Sequence, residues 1–319
     1  MINSSVSVVV RSSNERTISS CLFSLREEIL KSKSYFFTDI EIVSADNFTD
    51  VLYKSLLNGI NQNKEWHLVV DADVVLIEGA LVKLMSWAIK LPNEVSVVQP
   101  HIQDKILGYN RPAGVHLYRT SYLRNIIQNV DMYRDSKRPE TLLLQDYQKT
   151  TGRYFVNIPI LFGYHDFNQS YKDLLRKSFL HGIKHSTNSR LLIDYWFKCY
   201  LITKDYDYLV IMHGYLFGLK SNRTSTISSS DEEIENIYTN FVEREKKPLD
   251  FNNFGLHLKK CYQLPITNQM GFSSVLEFPS IKNIGILLST IYYIKMLFKA
   301  GIFNVLRKSM TYFYKKNLL

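Results

Sequence analysis

No stretch constrains the fold of this chain more than residues 66–76. Leu68-Val69-Val70 is an unbroken apolar run, and a strand of that composition needs cover on both faces. It ends in Asp71-Ala72-Asp73, and a second apolar run, Val74-Val75-Leu76, follows. The two carboxylates then sit where the strand leaves its sheet. In open α/β sheets that carboxyl edge is where ligands bind. Carboxylates so close repel each other and lose solvation, so they need a compensating cation. Hard oxygen ligands suit Mg²⁺ or Mn²⁺, an ion usually shared with substrate phosphates. A plainer reading also fits: Asp71 and Asp73 start a turn and cap a helix beginning near Glu78.

The flanking chain alternates between two periods. Short apolar runs at 7–10, 40–43, 95–99, 115–118 and 155–159 read as strands. Between them, 17–31, 51–60, 79–90, 120–130 and 141–150 read as helices. In the first helix Ile18, Cys21, Leu22, Leu25 and Ile29 recur near a 3.6 period. Gly152 closes the last as a C-cap, and 108–114 and 162–167 read as loops. Such alternation predicts an α/β fold, a doubly wound and mostly parallel sheet. A basic helix follows at 170–185, then packed helices over 191–219 and a polar linker near 221–230. The expected division is a catalytic domain at 1–187, a helical extension at 188–260 and a basic amphipathic tail at 261–319.

With 319 residues the chain can bury one large or two modest cores. Its net charge of +9 points to a polyanionic partner. The aromatics are diffuse rather than interleaved with basic residues, which argues against nucleic acid. Cys21, Cys199 and Cys261 are scattered and fit a reducing compartment, and no secretory leader is recognised, so the expected location is cytoplasmic. No Asp or Glu occurs after Glu277. Lys295 and Lys299 interrupt the apolar run there, which argues against a spanning helix. They share a face, with Arg307, Lys308, Lys315 and Lys316 beyond. That pattern suits a helix lying on the anionic inner face of the cell membrane, or one packed on its own domain.

Several of these segments resemble one family. Ser7-Val8-Val9-Val10-Arg11-Ser12-Ser13-Asn14-Glu15 resembles the opening of GT-A-type glycosyltransferases of family 2, with Arg11 where proline is usual and Ser13 where an aromatic is usual. Asp71-Ala72-Asp73 resembles that family's DXD motif. Glu140, 12 positions before Gly152, falls where the family's Glu-Asp pair carries the catalytic base; Thr141 replaces the second acid, and Asp146 is the alternative. His165 falls where these enzymes place a late metal-binding histidine. The resemblance covers roughly residues 6–185.

The resemblance implies an inverting hexosyltransferase-like enzyme of cell-surface polysaccharide or glycan synthesis. It would use Mn²⁺ or Mg²⁺, a nucleotide-diphosphate sugar as donor and a glycan or lipid-linked acceptor. Asp73 would bind the metal directly, Asp71 through water or by holding the ribose, and His165 would complete the shell. Glu140 or Asp146 would take the acceptor's proton. Ser12 and Glu15 would approach the nucleoside, Asp46 or Asp50 its base, Arg111 a donor phosphate or an acceptor anion, and Lys184 the diphosphate. Plainer readings stand beside these: Ser12 and Asn14 cap the first helix, and Glu140 is a helix-start acid after Pro139. Two other classes remain open. One is a nucleotidyltransferase on a related sheet, for which residues 11–14 lack the glycine-rich loop. The other is a non-catalytic basic protein of the membrane surface, or one that only binds nucleotides.

Overall fold

The computed structural model describes residues 4–134, 136, 138–184, 189–221 and 231–247. The tail at 261–319 and most of the polar linker lie outside the described residues. The chain divides into two compact units, with a boundary between Gln169 and Ser170.

The first unit is a sheet wrapped by helices. Its strands are β1 (Ser5–Ser12), β2 (Phe36–Ser44), β3 (Trp66–Asp71), β4 (Val74–Leu76), β5 (Val95–Asp104), β6 (Asn110–Pro112), β7 (Val115–Arg119) and β8 (Tyr154–His165). Its helices are α1 (Ile18–Lys31), α2 (Phe48–Gln62), α3 (Ala80–Ala88), α4 (Thr120–Ile127) and α5 (Pro139–Thr151). The strand order is β2-β1-β3-β7-β5-β8-β4, with β6 paired to β5. β2, β1 and β3 are mutually parallel, as are β5 and β8. β7 joins these two blocks by antiparallel pairing to β3 and β5, so all five long strands run one way. This is the expected α/β layer, with reversed strands where the connections are too short for a crossover.

β3 shows why the sheet is doubly wound. Leu68 and Val70 join the core under α1 and α3, while Val69 between them joins the core under α2, α4 and α5. All three are fully buried, the two-sided cover their composition demands. On the second face, Gly59 of α2 lies directly on the His67 ring and Leu123; a Cβ there would stand 2.5 Å from His67 Cγ.

Helix ends correct two of the plainer expectations. α3 is not capped by Asp71 or Asp73. Its N-terminal amides at Gly79 and Leu81 donate to the two carboxylate oxygens of Glu28, on α1, at 2.9 and 3.2 Å. Nor do Ser12 and Asn14 cap α1, whose N-cap is Thr17. Instead Ser12 Oγ donates to Glu15 Oε2 at 3.1 Å and accepts the Asn14 amide, closing the loop on itself. Two expected loops are in part strand: Arg111 lies on β6, and His165 ends β8.

The second unit is helical: α6 (Tyr171–Lys184), α7 (Ser189–Thr203), α8 (Asp207–Lys220) and α9 (Glu232–Phe241). α6 and α8 touch backbone to backbone at Gly182, Gly214 and Gly218, where an added Cβ would run into main-chain atoms of the other helix. Glu245 caps α6, accepting the Tyr171 amide at 2.9 Å. No described helix is long and apolar enough to cross a membrane.

Candidate active site

Two charged clusters form at the carboxyl edge of the first unit's sheet, one on each side of Ala72. Strand register builds the first. Arg11 on β1 is level with Asp71 on β3, and His116 on β7 is level with Val69. Odd positions of β1 and β3 face the same side as His116 and Tyr118, so Arg11, Asp71, His116 and Tyr118 share a face. Glu140 reaches them from the first turn of α5, which Pro139 starts.

Arg11 lies at the centre of this cluster, with a side chain only 3% exposed. Its Nε donates to Asp71 Oδ1 and its Nη1 to Glu140 Oε1, each at 2.8 Å. The Phe48 ring covers the guanidinium, 5.2 Å from centroid to Cζ. Tyr118 OH donates to Glu140 Oε1 at 2.7 Å, and His116 Nδ1 lies 3.3 Å from the same oxygen. Gln99 meets the far nitrogen of His116 at 2.9 Å. Burial keeps His116 neutral, its pKa lowered to about 4 despite Glu140. For Glu140, burial works toward a higher pKa, but Arg11, His116 and Tyr118 outweigh it and hold the carboxylate down to about 2. Asp71 goes the other way: burial, with Asp73 and Glu140 nearby, lifts it to about 6 against the pull of Arg11.

The second cluster gathers Asp73, His165 and Asp166, whose ligand atoms all lie within 4.8 Å of one another. β4 pairs with β8 so that Val74 is level with His165, which brings Asp73 beside that ring. Asp166 takes a left-handed backbone, φ 67°, a conformation Asp tolerates better than most residues. The turn returns its carboxylate to His165, with Oδ2 3.0 Å from Nδ1, and Asp73 Oδ1 lies 3.3 Å from Nε2. Asp104, at the end of β5, is 3.2 Å from Nδ1 and is also held by Arg111 at 2.6 Å. Burial alone would deprotonate His165, but Asp166, Asp73 and Asp104 raise its pKa well above the ordinary value.

This donor set fits a divalent cation. Two carboxylates and an imidazole offer hard and borderline ligands. A ring nitrogen turned to a further carboxylate is the usual support of a metal-bound histidine. The same acids raise the proton affinity of His165 against burial, as an environment that favours positive charge does. Gly114, φ 67°, borders both clusters; a Cβ there would stand 2.9 Å from Val74 Cγ2, 3.6 Å from Asp71 Oδ2 and 3.7 Å from His165 Cδ2.

The residues singled out in the sequence part company here. Asp73 and His165 meet, and Asp71 and Glu140 meet through Arg11. Ser12 and Glu15 form the loop just after Arg11. Arg111 is turned to Asp104. Asp146 faces Asn129, 3.5 Å away, on another side of α5 from Glu140. Asp46 is exposed between β2 and α2, and Lys184 lies at the end of α6 in the second unit. Five participants were not anticipated: Asp166, Arg11, Asp104, His116 and Tyr118. Asp166 adjoins His165 in sequence, which is a usable signal; the other four are placed only by strand register.

No protein-family model matches the chain, and no curated protein does. Among solved structures it is similar to a glycosyltransferase involved in the glycosylation of the major capsid of PBCV-1, at 10% identity and a TM-score of 0.39, over 51% of this chain and 94% of that one. It is also similar to glucosyl-3-phosphoglycerate synthase from Mycobacterium tuberculosis, solved with Mn²⁺, UDP and phosphoglyceric acid. There the identity is 12% and the TM-score 0.34, over 49% of this chain and 69% of that one. A third, 4-diphosphocytidyl-2C-methyl-D-erythritol synthase from Anaerococcus prevotii, scores 0.36 at 8% identity, over 51% and 88%. Likeness this loose assigns no activity.

Proposed function

We propose that this protein is a metal-dependent glycosyltransferase, moving a sugar from a nucleoside-diphosphate donor to a hydroxyl acceptor. The observation that carries the reading is the Asp73–His165–Asp166 cluster at the carboxyl edge of an α/β sheet. A divalent ion held there would supply positive charge for the diphosphate as it leaves. Asp73 and Asp166 would bind it through carboxylate oxygens, and His165 through a neutral ring nitrogen. Asp104 would accept the proton on the other nitrogen and fix the ring, with Arg111 holding Asp104 in turn. The loop of Ser12, Ser13 and Glu15 borders the same edge and offers polar groups to a nucleoside. Inversion at the anomeric carbon requires a carboxylate that takes the acceptor's proton. Asp71 and Glu140 are the carboxylates grouped on the neighbouring face.

Thermal stability against a panel of nucleotides, with Mn²⁺, Mg²⁺ or EDTA, tests the reading. A ligand that binds the folded state raises the midpoint by mass action. We expect a nucleoside diphosphate to stabilise only with metal, and Asp73→Ala to abolish the shift. Stabilisation by a nucleoside triphosphate alone would point to nucleotidyl transfer instead. No shift with any nucleotide would remove the basis of the proposal. Should transfer be observed, the anomeric configuration of the product, read by NMR, decides between inversion and retention.

A further inference from the structure

Glu140 is where the family resemblance expects the proton acceptor, yet its surroundings suit a different task. One oxygen, Oε1, receives Arg11 Nη1 at 2.8 Å and Tyr118 OH at 2.7 Å, with His116 Nδ1 at 3.3 Å. Gln99 donates to the far nitrogen of His116, which puts the proton of the neutral ring on Nδ1, near that oxygen but without a hydrogen bond to it. The side chain is only 10% exposed, which leaves little room for an acceptor hydroxyl. A carboxylate loaded with donors has low proton affinity, whereas a general base works best with a pKa near the operating pH.

What Glu140 does hold is Arg11. The guanidinium fork spans two carboxylates on different elements, Nη1 to α5 and Nε to the end of β3. An arginine side chain carries about 2 kcal/mol of rotamer entropy, so one contact fixes it less firmly than two. Arg11 also stands where the family usually has proline, which donates nothing. A cation there needs a second anchor if it is to face Asp71 in one orientation.

We propose that Glu140 is a positioning residue: it holds the Arg11 guanidinium, and through it the Asp71 carboxylate, in place at the end of β3, and does not take the acceptor's proton. The first half stands on geometry alone; the second rests on the sugar-transfer reading of the site.

The test follows the Arg11 Nε–H by ¹⁵N NMR in the full chain, assigned by its loss in Arg11→Lys. Glutamine at 140 keeps a carbonyl acceptor for Arg11 and Tyr118 but cannot act as a base. The resonance should persist in Glu140→Gln and vanish or exchange rapidly in Glu140→Ala. Glu140→Met, which keeps the volume without the acceptor, replaces the alanine variant if that does not fold. An unchanged resonance in Glu140→Ala or Glu140→Met overturns the proposal, whether or not the protein transfers sugar. In a transfer assay, Glu140→Gln should keep kcat within tenfold of wild type at unchanged donor KM. A loss of a thousandfold or more at unchanged KM, with the Arg11 resonance intact, makes Glu140 the base and overturns the second half. Failure of the nucleotide panel would sink the sugar-transfer reading and leave the NMR result standing.

Discussion

Single residues here are governed by whether a buried charge finds its partner. His67 is the neutral case. Its Nε2 faces the Ser55 carbonyl at 2.9 Å, which can only accept, so Nε2 carries the hydrogen. Nδ1 then accepts from Ser7 Oγ at 2.8 Å. Burial lowers its pKa to about 4, below the unfolded value near 6.5. The native state therefore binds fewer protons, and this stability is present above pH 6.5 and lost as pH falls toward 4. His165 and Asp71, both raised, contribute with the opposite sign, so the contrast with a variant isolates His67. Between pH 7 and 5, urea unfolding should show wild type losing about 2 kcal/mol more than His67→Gln. Equal slopes would contradict a neutral buried ring. The legibility of the site divides at this scale too. Asp71 and Asp73 stood out by residue type and spacing, Glu140 and His165 only by the family resemblance. Their grouping did not, because Arg11, Asp104 and Tyr118 enter through register between strands far apart in sequence.

Elements explain what the sequence pattern could and could not show. The central strands announced themselves through runs such as Leu68-Val69-Val70, since burial on two faces leaves an unmistakable composition. β4 and β6 have three residues each, too few to display a period. Residues 162–167 read as a loop in the sequence, yet β8 runs through them to His165, with Gly163 passing the Val75 carbonyl, where a Cβ would stand 2.5 Å away. Glu28 was hidden as one more helix acid, although it caps α3 across the fold. Glu28→Ala removes the acceptors of a buried amide at Leu81 and a half-buried one at Gly79, and should cost about 1–2 kcal/mol in chemical denaturation, with Glu28→Gln recovering part. Gly59→Ala should also destabilise, by about 1–3 kcal/mol, because the His67 ring and Leu123 occupy the space, even though alanine favours helix. A stabilised Gly59→Ala protein would contradict that packing.

The whole molecule combines a sheet unit that bears the candidate site with a helical unit locked by glycine contacts and by Glu245 on α6. Its net charge of +9 suits a diphosphate substrate but does not select one. On the proposed function, pocket shape and the acceptor's own chemistry would decide the sugar, and no short motif encodes either. The proposed function commits to a candidate cation site in which Asp166 joins Asp73 and His165, while Asp71 is turned to Arg11. Mn²⁺ titration of the full chain, followed by EPR with UDP or GDP present, tests this most directly. The account predicts one tightly held ion in the wild type. It predicts at least tenfold weaker binding in Asp73→Ala and in Asp166→Ala, and unchanged binding in Asp146→Ala. Mn²⁺ held as tightly by Asp73→Ala and Asp166→Ala as by wild type would contradict it.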